Sequence, residues 1–135
     1  MAQVPNANAS YDYFSLQMTK TILIAEDDEH VRHSLTSILK EVGYSVVEAS
    51  NGKEVLQDLK RSADFCLLLT DLVMPEMEGL ELITHLRRHR PKLPIVAMSG
   101  TFEGTFLSAA RLLGAKETLQ KPFKRAALLA ALESA

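Results

Sequence analysis

The order of residues predicts a single α/β domain in which five parallel strands form one sheet with helices on both faces. Three observations predict it. From Thr21 onward, short β-branched or apolar runs alternate five times with amphipathic stretches, and right-handed βαβ crossovers allow little besides a parallel sheet. The first, third and fourth runs are continuously apolar, as strands covered on both faces are. A length of 135 residues, 47% hydrophobic and 24% charged, provides for one core rather than two.

Residues 22–25 (ILIA) form the first strand candidate. Val31, Leu35, Ile38, Leu39 and Val42 then recur at helical spacing until Gly43 stops the helix. Residues 44–49 give a second strand, and the helix over 53–60 buries Val55, Leu56 and Leu59. Residues 65–70 form the third strand. After Pro75 and Gly79 comes a helix with Leu82, Ile83 and Leu86 on its core face. Residues 94–98 make the fourth strand, with Phe106, Leu107, Ala110 and Leu113 on the helix that follows. Residues 117–120 are short and weakly apolar, hence an edge strand. Leu128, Leu129 and Leu132 mark the last helix. Residues 1–18, with Asp12 as their one charge and no period of 2 or 3.6, read as a flexible N-terminal extension; residues 19–135 are the domain.

Composition narrows the partners. Fifteen Lys and Arg against seventeen Asp and Glu give a formal charge of -2, which does not predict direct contact with nucleic acid. An added catalytic or DNA-binding domain does not fit the length. No apolar run reaches the roughly 18 residues of a membrane span, and a signal-peptide pattern is lacking. The single Cys66, inside an apolar run, reads as a buried reduced thiol, which predicts a cytoplasmic setting.

A doubly wound sheet places its ligand site beyond the carboxyl ends of its strands. Those ends carry Glu26, Asp27 and Asp28 after strand one, Asp71 after strand three, Ser99 after strand four and Lys121 after strand five. Carboxylates gathered at one edge repel unless a cation neutralises them, and Mg²⁺ fits best because it keeps waters and accepts a phosphoryl oxygen. Lys121 supplies a point charge and Ser99 a hydroxyl donor for a phosphoryl group.

Asp27-Asp28 after strand one, Asp71 in LLLTDLVMPEMEG, Ser99 in IVAMSG and Lys121 in LQKPF together resemble the receiver domain of two-component response regulators. The resemblance covers residues 19–135. It implies a flavodoxin-like (βα)5 fold with strand order 2-1-3-4-5. It implies that Asp71 takes a phosphoryl group from a histidine kinase or histidine phosphotransfer protein, with Asp27, Asp28, Asp71 and the backbone carbonyl of Val73 holding Mg²⁺. Ser99 is then the switch hydroxyl, Lys121 the phosphate-contacting lysine, and the Lys121-Pro122 bond cis. The output is control of a protein partner through the fourth helix, fifth strand and fifth helix, by a monomer or weak dimer. In the family an aromatic residue usually stands three positions before the lysine. Thr118 occupies that place here, so the usual coupling does not carry across; Phe102 and Phe106 are the neighbouring aromatics.

Blander readings stand beside these. Asp28 is also a natural helix N-cap. His85 and His89 have metal-pair spacing, yet they sit in the basic run HLRRHRPK, which suits a helix end complementing its dipole. His30 and His33 read as surface residues. The stretch 126–132 (AALLAAL) either packs tightly or serves a partner surface. Two other functions share parts of the pattern. A Mg²⁺-dependent phosphohydrolase needs a cap segment for which no insertion is long enough. A pseudo-receiver regulated by binding alone has only Thr118 in its favour.

Overall fold

The computed structural model describes residues 20–62, 64–74, 77–100 and 104–135. The expected extension over 1–18 and Phe102 lie outside these described residues. Strands β1 (Thr21–Ala25), β2 (Ser45–Ala49), β3 (Phe65–Asp71), β4 (Ile95–Ser99) and β5 (Glu117–Gln120) alternate with helices α1 (Glu29–Glu41), α2 (Gly52–Arg61), α3 (Gly79–His89), α4 (Gly104–Leu113) and α5 (Arg125–Ser134).

All strand pairs are parallel and the sheet order is β2-β1-β3-β4-β5. The continuously apolar runs are therefore the three central strands. Every residue of β4 is buried, as are Ile22 to Ala25 of β1 and Leu67 to Asp71 of β3. Alternate side chains divide into two cores. Leu23, Leu68, Ile95 and Ala97 pack with Val55, Leu59, Leu82, Ile83, Leu86 and Ala110 of α2, α3 and α4. Ile22, Ile24, Leu69, Val96 and Met98 pack with Leu35, Leu39, Leu128 and Leu132 of α1 and α5. Each fully buried Leu or Ile contributes about 1.5–3 kcal/mol, so the sheet holds its strand ends rigidly in place.

Local chemistry fixes how chain enters and leaves that edge. Asp28 caps α1, its Oδ1 accepting from the backbone N–H groups of His30 (2.9 Å) and Val31 (3.1 Å). The helix stops at Glu41 with Val42 as its C-cap, and Gly43 just beyond takes a φ of 105° that an L side chain rarely adopts. Gly79 meets a different demand, because a Cβ there would lie 2.5 Å from the Asp71 carbonyl oxygen and 2.6 Å from the Leu72 Cα. Only glycine lets α3 start this close to the end of β3.

Two cations of the basic run at the end of α3 are tied to backbone carbonyls. Arg87 donates through Nη1 to Pro91 O at 2.7 Å and through Nη2 to Leu93 O, and Arg90 Nη2 donates to Leu59 O at 2.6 Å. The His85 and His89 rings lie 4.3 Å apart. In α5, Leu128, Ala131 and Leu132 are buried while Ala126, Ala127 and Ala130 are exposed, so the apolar stretch serves the core with one face and leaves small residues on the other.

Candidate phosphoacceptor site

Glu26 directly follows β1 and continues its pairing, its backbone N–H donating to Ala49 O at 3.0 Å. The side chain therefore turns into the sheet edge and is almost fully buried, at 1% exposure. Its Oε1 accepts from Lys121 Nζ at 2.5 Å, and its Oε2 accepts from the Asp28 backbone N–H at 3.1 Å. Asp71, the last residue of β3, is buried, and its Oδ1 lies 3.3 Å from the same Lys121 Nζ. One ammonium thus bridges two buried carboxylates.

The charges respond accordingly. Burial pushes the Asp71 carboxyl above the usual aspartate value against the pull of Lys121. Glu26 is raised by its burial as well, with the Lys121 bond opposing and the Asp71 charge adding. Burial works to lower Lys121, but its contacts with Glu26 and Asp71 outweigh that and hold the ammonium above the ordinary lysine value. Asp28 moves the other way, lowered by the Val31 and His30 N–H bonds of its cap.

Glu26, Asp27 and Asp71 each present a carboxylate oxygen within 4.8 Å of the others, and they are the one such group among the described residues. Asp28 lies outside it. Three carboxylates face one ammonium, an imbalance that a hard divalent cation with oxygen ligands corrects. Ser99, the last residue of β4, is fully buried and its Oγ has no hydrogen-bond partner among the described residues. Buried hydroxyls are seldom left so, and this one suits an added oxygen acceptor. The β3–β4 register places Asp71 opposite Met98, one residue before Ser99. The Lys121 N–H donates to Ser99 O at 2.6 Å, and the Lys121-Pro122 peptide is cis. The residues present therefore fit both a divalent cation and a phosphoryl group.

The sequence places Glu26 at the strand end, but the metal-binding set that the resemblance implies (Asp27, Asp28, Asp71 and the Val73 carbonyl) does not include it. Its inward turn follows from β1 pairing that runs one residue past Ala25, a contact the residues alone do not announce, while Asp28 occupies the position just before a helix. Val73 lies two residues beyond Asp71, its side chain half exposed, after a turn held by Leu72 N–H to Met98 O (3.0 Å) and Gly79 N–H to Leu72 O (3.0 Å). Thr118 sits on β5 opposite Ala97, and its Oγ1 accepts from Arg111 Nη2 of α4 at 3.2 Å. A groove of about 640 Å³ opens beside the site, bordered by Val31, Leu35 and Ile38 of α1 and by Lys121, Pro122 and Phe123.

Against known proteins, the profile of the response regulator receiver domain matches residues 22–133. The chain belongs to the response regulator receiver domain family. Among relatives of this receiver domain, the response regulator protein TodT of Pseudomonas putida is 36% identical over 114 residues, covering 84% of this chain and 50% of TodT. The transcriptional regulatory protein SrrA of Staphylococcus aureus is 33% identical over 106 residues, covering 78% of this chain and 43% of SrrA. The receiver domain thus spans about half the length of the curated relatives it matches. Among solved structures, a response regulator receiver protein from Pseudomonas putida superposes with a TM-score of 0.80 at 28% identity, covering 87% of this chain and 98% of the other. FixJ-N superposes with a TM-score of 0.78 at 29% identity, covering 85% and 91%. The strand order found here is the flavodoxin-like 2-1-3-4-5 that the resemblance implies. Among the described residues, no helix is long and apolar enough to cross a membrane.

Proposed function

We propose that this receiver domain is a phosphoacceptor switch in which Asp71 takes a phosphoryl group from a histidine kinase or histidine phosphotransfer protein. The observation that carries the reading is the meeting of Asp71, Lys121 and the Glu26–Asp27 acids at one sheet edge beside a buried, unpartnered Ser99. An Asp71 carboxylate oxygen attacks phosphorus, the bond from phosphorus to the donor imidazole breaks, and the electron pair returns to the ring nitrogen. Lys121 stabilises the charge on the transferred oxygens, and Ser99 donates its free hydroxyl to one of them. Asp27 and Asp71, joined by Glu26 and the Val73 carbonyl, would hold Mg²⁺, while Asp28 caps α1. Mg²⁺ supplies neutralisation of the phosphoryl charge when bound.

Phosphorylation adds roughly -1.5 to -2 charge and draws Ser99 toward it, altering the surface of α4, β5 and α5 that a downstream protein reads. Thr118 cannot swing a ring, so the shift is carried by smaller movements of this surface. The domain acts in the cytoplasm as a monomer or weak dimer, contacts no nucleic acid itself, and catalyses only its own phosphorylation and dephosphorylation. Intact-mass measurement with acetyl phosphate and Mg²⁺ tests the assignment: the wild-type chain gains one phosphoryl group and Asp71→Asn gains none. Equal labelling of the two overturns it.

A further inference from the structure

The acidic cluster has a support that lies outside it. Arg32 of α1 is largely buried, its side chain 14% exposed, and its guanidinium reaches two different targets. Its Nε donates to Glu48 Oε1 on β2 at 2.9 Å, and its Nη1 donates to the backbone carbonyl of Glu26 at 2.8 Å. The other Glu48 oxygen accepts from Thr36 Oγ1 at 2.9 Å, so Glu48 is itself held from α1. His33 Nε2 stands 3.5 Å from Glu48 and is mostly exposed.

The consequence lies in the peptide plane that Arg32 grips. Glu26 is tied at its N–H to Ala49 O of β2 and at its C=O to Arg32 of α1, which Glu48 in turn joins to β2, so both ends of its backbone are fixed. Its carboxylate then has a set origin from which to meet Lys121 and the Asp28 N–H. Asp27 follows on the gripped peptide. It is exposed, yet its carboxylate lies within the 4.8 Å group with Glu26 and Asp71. Holding its backbone narrows the directions this exposed carboxylate can take, and a planar guanidinium with two engaged donors fixes orientation better than a single point charge.

We propose that Arg32 is a positioning residue for the cation site: braced by Glu48, it fixes the Glu26–Asp27 peptide and so aims the carboxylates that take Mg²⁺. The inference rests on the metal-binding reading above and adds to it a residue that touches neither the metal nor the phosphoryl group.

Calorimetric titration of Mg²⁺ into the folded chain, paired with thermal midpoints in chelator, tests it. Arg32→Met weakens Mg²⁺ binding about tenfold, and Arg32→Lys, which reaches Glu48 or the carbonyl but not both, about threefold, the range for losing one or two hydrogen bonds. Thr36→Val removes only the outer bond to Glu48; it lowers the metal-free midpoint and leaves the Mg²⁺ constant within about twofold. Arg32→Lys reports even where Arg32→Met does not fold. Wild-type affinity in a folded Arg32→Lys overturns the proposal. So does Thr36→Val weakening Mg²⁺ as much as the Arg32 variants, since that would show general loosening of α1 against β2. Asp27→Ala serves as the separate control: it abolishes the binding heat, and if it does not, the metal reading fails and the Arg32 role with it.

Discussion

The two ends of the sheet both concentrate charge, yet they use it in opposite ways. Near the start of β4, cations predominate, and the guanidinium groups of Arg87 and Arg90 are tied to the carbonyls of Pro91, Leu93 and Leu59. Among the described residues, Arg87 Nε is the one buried nitrogen left over there. At the carboxyl edge, Glu26 and Asp71 share Lys121 with Asp27 close by, and the fully buried Ser99 hydroxyl has no partner among the described residues. The first end is closed and serves the fold. The second is incomplete, and its missing partners are a cation and an oxygen-rich anion. Density of charge does not separate a functional site from a structural one; unmet hydrogen-bonding and charge demand does.

Removing the cation that the acids share should break the comparison most severely. Lys121→Met leaves Glu26 buried beside Asp71 without a counter-charge, and loss of one partner of a buried pair costs about 3–5 kcal/mol. Lys121 keeps a quarter of its side chain exposed, so the lower part of that range is expected. Urea unfolding in chelator measures it, and Mg²⁺ should restore part of the loss. Unchanged stability would show that the acids are neutral as the chain folds.

Supplying the missing cation should have the next largest effect. Mg²⁺ at about 100 times its dissociation constant stabilises by roughly 2.7 kcal/mol. Asp27→Ala should abolish that increment. Asp28→Ala should keep it while lowering the urea midpoint equally with and without Mg²⁺, because Asp28 bonds backbone N–H groups at the start of α1. A Mg²⁺ increment lost with Asp28 instead would return it to the metal site.

Much of this division was legible in the residues. Three continuous apolar runs identified the central strands, and the strand-end rule brought Asp71, Ser99 and Lys121 to one edge, because burial on both faces leaves a direct imprint on composition. The direction of each acid was not legible. Glu26, Asp27 and Asp28 are consecutive carboxylates, and which one turns inward depends on where β1 stops pairing with β2, a contact 23 residues away in the case of Glu26 and Ala49. The Arg32–Glu48 bond joins positions 16 apart for the same reason. Thr118 could be flagged as a departure, but its bond to Arg111 depends on how α4 lies against β5.

The smallest expected effect is a pH slope confined to the acidic edge. Asp71 and Glu26 both have carboxyl pKa values raised by burial above their ordinary 3.8 and 4.5. The folded chain therefore binds these protons more tightly than the unfolded one, so their contribution to stability is full below the ordinary values and is lost as pH rises through the raised ones. In chelator, wild type should lose stability relative to Asp71→Asn as pH climbs from about the ordinary carboxylate range toward neutrality, with the gap constant beyond the raised values. Asp28 and Glu48, both lowered, pull with the opposite sign, but they are common to both proteins and cancel in the difference. Saturating Mg²⁺ should reverse the gap, because the ionised carboxylate is then the form the fold prefers. Parallel pH curves for the two proteins in chelator would mean that Lys121 already satisfies Asp71, and the carboxyl edge would then be as closed as the basic one.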